Sequence, residues 1–129
     1  MKIHELYDNL LAVVPDNWSV EKDSIITTVS NPTDGLGALQ FTSFIVDKEK
    51  DVDLVEELFH LLEDKYDYLE VKLMGNHAFA EIIDECDIAW KYWLIKVEES
   101  IIFATYNCEV NDNGKEDDIV NHIINSIVQ

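Results

Sequence analysis

Carboxylates are the reactive groups this chain has in number, and their spacing decides what they can do. Residues 47–53, Asp-Lys-Glu-Lys-Asp-Val-Asp, place acids at every second position, as the start of an EF-hand loop does. That loop needs Gly at its sixth position and a bidentate Glu at its twelfth. Val52 and Leu58 stand there, so the spacing predicts a charged connector that caps a helix. Residues 107–114, Asn-Cys-Glu-Val-Asn-Asp-Asn-Gly, are also oxygen-rich but lack the terminal bidentate carboxylate. His4, His60, His77 and His122 are scattered, and no two have the i, i+4 spacing of a helical zinc site. Asp34-Gly35-Leu36-Gly37 is short and acidic, a poor cradle for phosphate. No Ser, Cys or His constellation suggests a nucleophile. The chain therefore reads as non-enzymatic, with no cofactor and no metal. The remaining candidates are partner-binding residues. Asp84, Glu85 and Asp87, set beside Glu98 and Glu99 of a neighbouring hairpin, are expected to form an acidic patch at one sheet end. Trp90 and Tyr92 are expected to share a sheet face, with Trp93 on the other. That pair is a contact patch for a partner if its face is open, because aromatics are the usual anchors of hot spots. Helix-covered core is the default reading of the same residues.

The charge balance narrows the partner. The 129 residues carry 27 acids against 9 Lys and no Arg, a net charge of −18 and a pI near 4.2. Nucleic acid and anionic membrane both need a cationic surface and are excluded on that ground. Without Arg, the planar fork that grips phosphate is missing. A basic partner or a cation fits the charge, and so does solubility alone. Residues 1–15 read as neither a secretory nor a lipoprotein leader, and no stretch approaches the ~20 apolar residues of a membrane span. The expected location is cytoplasmic, with Cys86 and Cys108 reduced and buried in strand-like segments.

The elements follow from apolar periodicity. Leu6, Tyr7, Leu10, Leu11 and Val14 have helical spacing, which predicts a short helix over residues 4–13 ended by Pro15. Residues 18–21 and 25–30 read as a first hairpin, and residues 38–46 as a third strand. The loop between them, residues 31–37, holds Pro32 and two glycines. A wide apolar stripe predicts a helix over residues 52–66, with acids at its N-terminal end where the dipole favours them. Residues 69–74, 77–86, 89–97 and 101–110 read as four further strands, the first two joined at Gly75-Asn76. Ile119, Val120, Ile123, Ile124, Ile127 and Val128 form one face of a closing helix. The predicted class is α+β: one domain over residues 1–129, an antiparallel sheet of six to seven strands covered by two or three α-helices.

In this order the chain resembles the PsbP-like superfamily. The matching features are Trp18 opening the first hairpin and Ala38–Phe44 before the long helix. Gly75-Asn76-His77-Ala78 leads into paired strands, and Ala104-Thr105-Tyr106 precedes the helix over residues 118–127. The resemblance implies an α/β/α sandwich and action by binding other proteins, with no shared functional residues to transfer. Bacterial relatives include effector chaperones and proteins encoded beside toxins. The leading expectation is an immunity protein that neutralises a basic toxin, as monomer or homodimer. The alternatives are a chaperone or adaptor for a secretion-system effector and a ligand-binding domain.

Overall fold

The computed structural model describes residues 1–7, 10–45, 51–98 and 100–127. Nine strands and two α-helices follow in chain order among them: β1 (Lys2–Tyr7), β2 (Leu10–Val14), β3 (Ser19–Lys22), β4 (Thr27–Ser30), β5 (Gly37–Ile45), α1 (Leu54–Leu62), β6 (Lys72–Met74), β7 (His77–Ile83), β8 (Ile88–Val97), β9 (Ser100–Glu109) and α2 (Asp117–Ile127). Seven strands build one antiparallel sheet in the order β3-β4-β5-β9-β8-β7-β6. From β5 the chain passes through α1 to the far edge at β6. It then returns strand by strand until β9 pairs with β5.

The N-terminal segment departs from expectation. Residues 4–13 are not helical. They belong to the β1–β2 hairpin, a separate two-stranded sheet. Leu10, Ala12 and Val14 are buried while Leu11 is exposed, a period of two. The hairpin is tied to the main sheet by Thr27, whose Oγ1 donates to the Leu6 carbonyl at 3.0 Å. Val13 N–H donates to Ser126 Oγ of α2 at 2.8 Å, so hairpin and helix form one layer.

That layer covers one face of the sheet. Leu6, Leu10, Val14, Val120, Ile123, Ile124 and Ile127 pack on Val29, Leu39, Phe41, Trp93, Ile95, Ile102 and Tyr106. The other face carries α1, whose Leu58 and Leu62 pack on Ala78, Ala80, Tyr92, Leu94 and Ile101. Asp53 caps α1, its Oδ1 accepting from Glu56 N–H at 3.2 Å. The two coverings are offset. On the α2 face, β6 and β7 lie beyond the helix. On the α1 face, the strands β3, β4 and β5 carry Glu21, Thr28, Gln40 and Thr42 outward from the helix-covered half.

Close approach explains one glycine. A Cβ on Gly37 would stand 2.3 Å from the Asn107 carbonyl and 2.7 Å from the Tyr106 ring. Gly37 N–H instead reaches Glu116 Oε1 at 3.0 Å, and the Tyr106 hydroxyl donates to the same oxygen at 2.7 Å. Burial and that carboxylate push the Tyr106 phenol well above its ordinary range.

Candidate functional site

The offset of α2 leaves a cleft of about 670 Å³ between that helix and the β6–β7 hairpin. Its floor is β7 and β8. Alternation along β7 turns His77, Phe79 and Glu81 to this face, while Ala78 and Ala80 go under α1. Across the ladder Phe79 pairs with Trp93 and Glu81 with Lys91. The Phe79 and Trp93 rings lie 5.5 Å apart, tilted at 48°. Met74 of β6 closes one side. From α2 come Asp117, Asn121 and Asn125, spaced i, i+4, i+8 on one face of the helix.

Lys91 is the buried charge of this region, 7% exposed. Its ammonium donates to Asn113 Oδ1 at 2.8 Å and lies 3.0 Å from Asp117 Oδ1. That second contact is an ion pair without hydrogen-bond alignment, since Asp117 Oδ1 is buried with no hydrogen-bond partner. The same ammonium sits 5.8 Å above the Tyr106 ring. At the other end of the cleft His77 Nδ1 is buried with no hydrogen-bond partner. Burial pushes the His77 imidazole below its ordinary value. A hollow of about 350 Å³ at the ends of β7 and β8 continues the cleft past Glu81 and Lys91 to Trp90 and Asn113.

The residues read from sequence as partner-binding do not form one patch. Asp84, Glu85 and Asp87 make the turn before β8, and Glu98 opens the turn after it. Ten residues of strand, on the order of 30 Å, separate the two turns. Glu99 lies outside the described residues. Asp84 faces inward to its own turn: Oδ1 accepts from Cys86 N–H at 2.8 Å and Ile88 N–H at 3.1 Å, and Oδ2 accepts from the Trp90 indole at 2.9 Å. These bonds, that from Ile88 first, hold its carboxyl below the usual carboxylate range. Trp90 and Tyr92 do share a face, stacked at 5.9 Å. That face is covered: Tyr92 is 3% exposed, with its hydroxyl against that of Tyr66 and its ring stacked on Phe103. Burial drives its phenol far above the ordinary value. Tyr92 therefore belongs to the core, and Trp90 is half-buried at its margin.

Other candidates settle individually. Cys86 is exposed in the turn, against the expectation of a buried strand position; Cys108 is buried and its thiol is pushed up by burial. His60 is exposed on α1 with Glu56 and Glu63 at 3.4 and 3.6 Å, which raise its pKa. His122 is exposed on α2. In the stretch 107–114, Asn113 and Asp112 accept from Lys91 and Lys115. Residues 47–50 lie outside the described residues. Among the described residues no three His, Cys, Asp or Glu side chains converge as a metal site. None of the described helices is long and apolar enough to cross a membrane.

No family model matches the sequence, and no curated protein does. Solved structures do. The solution structure of the PsbP protein (CyanoP) of Synechocystis sp. PCC 6803 superposes with a TM-score of 0.65 at 7% identity, over 92% of this chain and 85% of that one. A 1.50 Å crystal structure from Bacteroides thetaiotaomicron VPI-5482 gives a TM-score of 0.60 at 11% identity, over 91% of this chain and 43% of that one. This chain thus spans less than half of the Bacteroides chain. At such identities the likeness establishes the fold and nothing further: the chain has the PsbP-like fold.

Proposed function

We propose that this chain is a non-enzymatic, cytoplasmic protein-binding domain that neutralises a basic protein partner, in the manner of an immunity protein against a toxin. The observation that supports this reading is the outward surface of α1 and the turn after it. Residues 51–70 hold eight acids against Lys65, and all eight are exposed. Three large apolar side chains stand among them: Phe59 at 40%, Leu61 at 44% and Tyr68 at 76% exposure. Apolar anchors ringed by one sign of charge suit a cationic protein surface. The charge steers association and the anchors hold it. A second reading, a chaperone or adaptor for an effector, draws on the β6 edge, where Leu73 and Met74 are exposed beside unpaired backbone.

The two readings differ in salt response. The tagged chain and its Glu56→Lys/Glu57→Lys variant are used to capture partners from lysate, each washed at low and high salt. The proposal expects a basic protein that the wild type retains only at low salt and the variant does not retain. Mixing that protein with the wild type abolishes its activity. Capture indifferent to salt and to charge reversal overturns neutralisation by charge and favours the chaperone.

A further inference from the structure

The cleft under α2 lies on the opposite sheet face from α1, and its chemistry points to a ligand of its own. Its polar lining combines a carboxylate with amides that can turn their oxygens to a ligand. Glu81 is an exposed carboxylate with no ion pair among the described residues. Asn121 and Asn125 reach over the floor from the helix, and their amide oxygens accept. His77 borders the cleft, with its Nδ1 buried beneath the surface. The one ammonium that lines the cleft among the described residues, Lys91, is already engaged by Asp117 and Asn113. Lys72, next along β6, has its ammonium 3.7 Å from Glu70. Among the described residues, two carboxylates against one ammonium therefore line the cleft, within a molecule of net charge −18. The charge balance, local and overall, opposes an anion and favours a cation.

The walls decide what kind of cation. A hard metal ion requires six or more oxygens, and one unpaired carboxylate with two amides falls short. The Phe79 and Trp93 rings and the Met74 side chain instead offer apolar and π surface, which suits an organic cation with a carbon stem. The volume of about 670 Å³ lies within the ~300–1,000 Å³ of small-molecule sites. We propose that the cleft between α2 and the β6–β7 hairpin binds an aliphatic ammonium group, its charge met by Glu81 and the Asn121 and Asn125 oxygens and its stem lying on Phe79 and Met74. The ammonium comes either as a free amine or as a lysine side chain of a polypeptide laid along β6.

The test is a titration of the full chain followed by amide and imidazole NMR. The probes are putrescine, a capped Ala-Lys-Ala peptide, and neutral n-pentanol as the uncharged control. Potassium chloride at matched ionic strength controls for screening. The expected result is saturable shifts at His77, Asn121 and Asn125 with an ammonium probe and none with pentanol. Glu81→Gln, an exposed site that leaves the rest of the spectrum in place, weakens binding about tenfold, the loss of one charge-assisted hydrogen bond. Tighter putrescine binding identifies a free amine. Tighter peptide binding with shifts at Leu73 and Met74 identifies a lysine side chain. Shifts that never saturate, that match those of potassium, or that persist unchanged in Glu81→Gln overturn the proposal. The Glu56→Lys/Glu57→Lys variant keeps this site, so its failure and that of the α1 surface are read separately.

Discussion

Asp84 commits both carboxylate oxygens to the turn that precedes β8, and this governs how the acidic residues should be read. Three donors, two backbone and one indole, converge on it, so its charge serves local structure. Glu85 and Asp87 beside it are exposed. Asp84→Asn is expected to lose part of this network and to shift Trp90 emission to the red as the indole gains water. The sign of the pH effect follows from the lowered folded pKa. The stabilisation is complete above the ordinary carboxylate value near ~4 and is lost as pH falls through the lower folded value. Wild type should hold its Trp90 signal below that ordinary value while Asp84→Asn shows no such acid transition. Identical acid profiles would remove Asp84 from this role. The sequence made the acids visible and could not separate them, because a turn cap and a solvated carboxylate look alike in one dimension. His77 was hidden for a related reason. Its position after Gly75-Asn76 reads as a turn, and burial of its ring nitrogen depends on packing that the sequence does not display.

At the scale of elements, periodicity was legible wherever only one period fitted. The β8 and β9 strands and the closing helix fall within two residues of where the pattern puts them. The β1–β2 hairpin failed because Leu6, Leu10 and Val14 lie four apart, and a spacing of four satisfies a helix and a strand face alike. Buried Ala12 and exposed Leu11 decide the matter, and neither residue type announces its side. Strand ends carry a second lesson. The β8–β9 turn holds Glu98 at φ 53, a left-handed conformation that costs a side chain about 1–2 kcal/mol. Glu98→Gly should therefore raise stability by ~1 kcal/mol, after allowing for the extra freedom glycine gives the unfolded chain. Urea unfolding measures it, and Glu98→Gln separates charge from conformation. A gain in both variants would assign the effect to charge and not to backbone.

Across the whole molecule, offset helices and uniform acidity act together. Each helix covers part of one sheet face, and the two surfaces proposed for binding, the acidic outer side of α1 and the cleft beside α2, lie on opposite faces. The charge surrounds both, and it also strains the fold. With −18 on 129 residues, like charges repel across the compact state. The offsetting attractions are few. The ion pairs among the described residues are mostly exposed, and exposed pairs contribute about 0–1 kcal/mol each. Salt that shortens the screening length from ~10 Å to ~3 Å therefore removes more repulsion than attraction. Added sodium chloride should raise the melting temperature by several degrees, on the scale of ~1 kcal/mol for a domain of this size. The Glu56→Lys/Glu57→Lys variant, four charge units less negative, should start from a higher melting temperature at low salt and gain less from added salt. A melting temperature that is flat in salt, or a variant with the same salt response, would mean that the acidity is spread so evenly that it costs the fold nothing. The charge would then be free to serve solubility, and the argument for a protein partner at α1 would rest on Phe59, Leu61 and Tyr68, with nothing left to specify a basic one.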